Sequence, residues 1–107
     1  MPELAALVSE HLAAATASPR GRSALKIIHD GPLRQTVIAL AGGQKLEEHN
    51  TPPAATLQVL HGRVRLTSPG GDVVLSAGSL EPIPHERHGL TAVEDSVVLL
   101  TAVNREP

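Results

Sequence analysis

The sequence predicts an all-β domain, a sandwich or barrel of short strands, preceded by a single α-helix. Three observations predict it. Apolar residues recur at helical spacing only near the N-terminus. After Gly21 the chain breaks into short apolar segments, many of them alternating, separated by turn signals. Nine glycines and nine prolines in 107 residues supply the punctuation such a meandering chain needs. The length suits one domain, and surface scaling buries about 65% of the unfolded surface of such a chain, enough for one core without covalent staples. Residues 1–21 are read as helix and linker and 22–107 as the β-domain.

The helix is predicted over 3–17. Leu4, Leu7, Val8, His11, Leu12 and Ala15 make one apolar stripe, the intervening alanines favour helix, and Ser18-Pro19-Arg20-Gly21 ends it. Strands follow at 23–29, 33–40, 44–49, 54–60, 63–68, 73–75, 80–83, 89–92 and 96–103. Between them stand Asp30-Gly31-Pro32, Gly42-Gly43, Asn50-Thr51-Pro52-Pro53, His61-Gly62, Pro69-Gly70-Gly71-Asp72, Ala77-Gly78-Ser79 and Glu94-Asp95. Strands at such close intervals exclude a βαβ fold, which needs a helix in each crossover. Gly62, between Val59-Leu60-His61 and the alternating Arg63-Val64-Arg65-Leu66, predicts a tight hairpin, and Pro69-Gly70-Gly71-Asp72 predicts the next, giving a three-strand meander. Prolines 52, 53, 82 and 84 fit only edges or loops, since each lacks a ladder donor.

Composition removes several function classes. No cysteine means no disulfide and no thiolate metal site, and no Phe, Tyr or Trp means no base stacking and no cation–π capture. Nine basic against eleven acidic side chains leave a net charge of −2 with no clustered basic patch, so nucleic acid is not expected as a partner. No apolar run approaches the roughly 20 residues of a membrane span, so no membrane association is expected. Met1-Pro2-Glu3-Leu4 carries an acid where a secretory signal needs positive charge, and a cytoplasmic location is expected. Gly42-Gly43 and Gly70-Gly71 lack the lysine and helix start of a phosphate loop, and no serine sits in a nucleophile elbow.

Two stretches carry a resemblance. Gly43-Gln44-Lys45-Leu46-Glu47-Glu48-His49, with Thr56-Leu57-Gln58-Val59-Leu60-His61-Gly62, resembles the first cupin motif, G-x5-H-x-H-x3,4-E-x6-G. Gly78-Ser79-Leu80-Glu81-Pro82-Ile83-Pro84, then His88, resembles the second, G-x5-P-x-G-x2-H-x3-N. The resemblance spans about residues 33–103, including a short inter-motif segment over 63–77. It implies a small double-stranded β-helix, a cupin-like jelly-roll barrel with its site at one mouth, and it implies a homodimer. Leu25, Ile27, Val37, Leu60, Val97 and Leu99 agree with the dimer, because they offer more apolar strand surface than one barrel interior needs.

The family's metal ligands are only partly kept. His49 and His88 hold ligand positions, but Thr51 stands at the second position and Ala55 or Thr56 at the acidic one. Ala92 replaces the closing asparagine, and the proline-to-histidine interval is one residue short. His85 is the best substitute ligand, three residues from His88, and Glu47 shares strand parity with His49. If Ala55 faces inward, so do Leu57 and Val59; if Thr56 does, Gln58 joins it. The other histidines are read as ordinary: His11 packing on the helix stripe, His29 at a strand end, His61 in a turn.

Two functions compete. One is a small-molecule binding module whose pocket is lined by Glu47, Thr51, Ala55, Leu57 and Val59, with His49, His85 and His88 at its rim. The other is a metal-dependent enzyme of dioxygenase or isomerase type. There His49 and His88, completed by His85, Glu47 or Glu86, would hold a divalent Zn, Fe, Ni or Mn ion as Lewis acid or oxygen activator. The lost ligands favour the first, in which there is no metal or only an accessory one.

Overall fold

The computed structural model describes residues 3–49 and 53–104, the side chains of 47–49 excepted. Helix α1 (Leu4–Ala17) is followed by β1 (Arg22–Asp30), β2 (Leu33–Leu40), β3 (Lys45–His49), β4 (Ala54–His61), β5 (Arg63–Thr67), β6 (Val73–Ser76), β7 (Leu80–Pro82), β8 (His88–Ala92) and β9 (Ser96–Val103). They form two antiparallel sheets, one in the order β1-β2-β9-β4-β7 and the other β3-β8-β5-β6. Pro82 lies on β7, at the edge of the five-stranded sheet, where a missing donor costs nothing. No described helix is long and apolar enough to cross a membrane.

Alternation sends one face of each sheet inward. On β4, Ala55, Leu57 and Val59 are buried while their neighbours are not, so the inward register is that of Ala55 rather than Thr56. They meet Ile38 and Leu40 of β2, Val64 and Leu66 of β5, Leu75 of β6, Leu90 and Ala92 of β8 and Val98 of β9 in one cluster between the sheets. At about 25 cal/mol per Å² of apolar surface, such aliphatic side chains supply most of the folding drive.

Two segments, Val37-Ile38-Ala39-Leu40 and Ser96-Val97-Val98-Leu99, are buried continuously rather than alternately. The reason is a second apolar layer. Val37, Ala39, Val97 and Leu99 face away from the barrel interior and are covered by Leu7, Val8, Leu12 and Ala15 of α1, with Ile27 and Leu60 alongside. His11, on the same stripe, brings Nδ1 to 2.7 Å from Ser23 Oγ on β1. The strand surface in excess of the interior's needs is therefore used within one chain. Of the six residues that suggested a subunit contact, Leu25 is the one large hydrophobic left exposed, and the sequence clue supplies no argument for a dimer.

The expected meander is overturned at its first turn. β5 and β6 do pair as a hairpin, Leu66 opposite Val73, but β4 and β5 lie in different sheets. At Gly62 the chain passes from one sheet to the other. Its φ of +80° is left-handed, and a Cβ would collide with the Asp95 carbonyl oxygen and Ser96 Oγ and come within 2.9 Å of Ser96 Cα. Ser96 is buried beside it: its hydroxyl accepts the Arg63 N–H (3.0 Å), and its own hydrogen faces the carbonyl oxygens of Glu94 (2.7 Å) and Arg63 (2.9 Å). One hydroxyl thus ties the start of β5 to the start of β9. Gly62→Ala is expected to cost about 2–5 kcal/mol, combining a left-handed alanine with overpacking against backbone. Urea unfolding with an unchanged slope and a lowered midpoint checks it.

Candidate functional site

Between the sheets, where β3 and β8 of one approach β2, β4 and β9 of the other, the aliphatic packing leaves a void of about 30 Å³. Its walls are Ile38, Leu46, Leu57, Leu66, Ile83, Leu90 and Leu100, together with Gly89 and His88. A water needs roughly 10–15 Å³ on this measure, so the space holds about two and no organic ligand as it stands.

Among the described residues His88 is the polar side chain of this wall, and it is 4% exposed. Its Nδ1 lies 3.1 Å from the carbonyl oxygen of Glu86. A carbonyl oxygen only accepts, so Nδ1 carries a proton in this contact. The loop before β8 therefore holds the ring in one orientation. Glu86 itself is exposed, and its Oε1 accepts the Gly70 N–H at 3.1 Å, pinning this loop to the β5–β6 turn.

Of the residues singled out from sequence, Leu57 and His88 line the void. The Cα of His49 pairs opposite that of His88 across the β3–β8 ladder, after an irregularity that begins at Leu46. Ala55 and Val59 are buried in the same core cluster, flanking Leu57 along β4 without lining the void. His85 is exposed and does not line it. Glu47 lies on β3 with its side chain outside the description, and Thr51 lies outside the described residues. Sequence reasoning missed the wall opposite: Leu46, Leu66, Ile83, Leu90 and Leu100. The alternation of Arg63-Val64-Arg65-Leu66 marks Leu66 as inward, but only the pairing of β5 with β8 brings it to His88.

The donor set can be tested against a transition metal, which takes at least three N, O or S protein ligands. Among the described residues no three of His, Cys, Asp or Glu come together, and the described wall contributes His88 alone. Ala55, at the position of the family's acidic ligand, offers no donor. The described residues do not make up the metal centre that the motif resemblance implies.

The fold is that of the cupins. A conserved protein of unknown function from Streptococcus pyogenes superposes with a TM-score of 0.75 at 25% identity, over 84% of this chain and 80% of that one. A cupin superfamily protein from Desulfitobacterium hafniense gives 0.72 at 12% identity, over 78% and 77%. The salicylate 1,2-dioxygenase of Pseudaminobacter salicylatoxidans gives 0.77 at 16% identity, with 92% of this chain covering 33% of that enzyme. No protein-family model matches the sequence, and no curated protein does. The chain is a small cupin-fold barrel carrying one N-terminal helix.

Because the void is small and its walls aliphatic, Leu57→Ala is expected to enlarge it at a cost of about 2–5 kcal/mol. Chemical denaturation measures the loss. A crystal structure of the variant should show the new volume opening toward His88.

Proposed function

We propose that the protein is a binding module whose interior takes a small, largely apolar molecule carrying one hydrogen-bonding group, read by His88. The observation that carries this is the oriented, buried imidazole of His88 on a wall whose other described side chains are aliphatic. Binding sites combine apolar lining with a few placed polar groups in this way. Ligand pockets usually measure about 300–1,000 Å³, so the leucines must move apart on binding. The weakest wall is β3. It is a five-residue edge strand, paired in its sheet only to β8 and irregular beyond Leu46, and edge segments with few contacts open at the lowest free energy. Entry past Leu46 is the expected route.

The second reading is a dioxygenase- or isomerase-type enzyme with a divalent metal on His49 and His88. Its support is the opposed register of those two positions. It is not favoured, because the described donors fall short of three.

A thermal-shift screen of small alcohols, phenols, amides and carboxylic acids, alongside Zn²⁺, Ni²⁺, Mn²⁺ and Fe²⁺, separates the two. A ligand at a hundredfold its Kd adds about 2.7 kcal/mol, which for a domain of this size is a rise of roughly 10 °C or more in Tm. The binding module predicts such a rise with an organic compound, retained after EDTA and abolished by His88→Leu, a change that keeps the wall filled. A stoichiometric metal whose stabilisation disappears in both His49→Ala and His88→Ala would overturn it in favour of the enzyme.

A further inference from the structure

A second concavity lies on the outside of the molecule, between the helix–barrel linker and the β2–β3 turn. It measures about 470 Å³, and Arg20, Arg22 and Lys45 line it with Pro19, Gly43 and Gln44. Among the described residues no carboxylate lines it. In sequence these three cations are dispersed, and the expectation of no basic cluster followed from that. The fold gathers them: Arg20 and Arg22 flank Gly21, and the turn at Gly42-Gly43 brings Lys45 alongside.

The walls are fastened together. The Ala41 N–H donates to the Gly21 carbonyl oxygen at 2.8 Å, and Gln44 packs so closely on Gly21 that its Cγ lies 2.6 Å from where a Cβ would stand. Gly21 has φ +69° and admits that approach because it has no side chain. The backbone donors of the turn are used internally: Gly42 N–H to Asp95 Oδ1 (2.7 Å), Gly43 N–H to Ala92 O (2.8 Å) and Gln44 N–H to Ala41 O (3.0 Å). A guest in this groove is therefore held by guanidinium and ammonium groups on a preformed backbone frame, and the ordering cost is confined to those side chains.

A further cation stands on the neighbouring sheet face. Lys45, Thr91 and Arg65 occupy one rung across β3, β8 and β5, with Lys45 and Arg65 exposed on the outer face of the four-stranded sheet. Strands β5, β6 and β8 contain no acidic residue; acids nearby include Glu47 and Glu48 further along β3 and Asp95, whose Oδ1 is engaged by the Gly42 N–H. Like charges gathered in a concavity attract an anion more strongly than the same charges spread apart. Two arginine forks suit the paired oxygens of phosphate or carboxylate groups.

We propose that this groove is an anion site for a small multivalent oxyanion, an organic phosphate or a polycarboxylate. Its volume is that of a metabolite site, and the chain has no aromatic residue with which to stack the bases of a polymer. The site is separate from the barrel interior, and neither reading depends on the other.

Pyrophosphate and citrate serve as probes, titrated into the ¹⁵N-labelled protein at low ionic strength. Both the amide shifts and the dissociation constant are followed. Saturable shifts confined to residues 20–22 and 43–45 are expected, weakening as salt is added. The paired Arg22→Gln and Lys45→Gln substitutions, both at exposed positions, should raise the Kd about tenfold or more, while Lys26→Gln on β1 leaves it unchanged. Tighter pyrophosphate binding assigns the site to a phosphate, and tighter citrate binding assigns it to a polycarboxylate. No saturable shift with either probe overturns the proposal, as does equal weakening by Lys26→Gln.

Discussion

Everything in this barrel depends on the chain changing sheets within one residue, at Gly62. Before it, Ala55, Leu57 and Val59 form the inner face of the five-stranded sheet; after it, Val64 and Leu66 form the inner face of the other. A wider connection would offset these rows and open the interior. The crossing is held by the absence of a side chain at Gly62 and by Ser96, whose hydroxyl fixes Arg63 where β5 departs. Backbone packing at one end therefore sets the spacing of the leucines at the other.

Among the described residues that spacing is filled by aliphatic side chains, His88 excepted. Without aromatic residues the chain closes two sheets with Leu, Ile, Val and Ala, which pack to a small residual void and add almost no polar surface. Against this wall the imidazole of His88 is conspicuous for chemical reasons. Burying a polar ring costs free energy unless it is hydrogen-bonded, and the bond to the Glu86 carbonyl offsets part of that cost while fixing the ring's orientation. Among the described residues this leaves one nitrogen donor group on the wall, short of a metal's three, and it is the arrangement on which the proposed apolar guest with one polar group rests.

Much of this was legible in the sequence, for identifiable reasons. The strands over 33–40 and 96–103 stand in the structure with those bounds, because Asp30-Gly31-Pro32 and Glu94-Asp95 end the preceding elements unambiguously. The cupin resemblance came from glycine, proline and histidine positions that the fold does use, with His49 and His88 opposed on one ladder. What stayed hidden was pairing. Alternation on both sides of Gly62 reads the same whether the chain makes a hairpin or changes sheets. The apolar excess in Val37, Val97 and Leu99 was visible, but whether a second subunit or the chain's own helix covers it is not a property of the strands. The gathering of Arg20, Arg22 and Lys45 likewise needs the turn at Gly42-Gly43 to fold back on the linker, and no local pattern records that contact.

The most direct test of the central claim, that the aliphatic interior beside His88 is the ligand site, is methyl NMR on protein with labelled leucine and isoleucine. It is recorded with a saturating compound from the small-molecule screen. The account predicts intermolecular NOEs from the compound to the methyl groups of Leu57, Leu66, Leu90 and Leu100, with the ring nitrogens of His88 shifting in step. NOEs confined to Leu25 or Leu80 on the outside of the molecule, with the His88 ring unchanged, would contradict it.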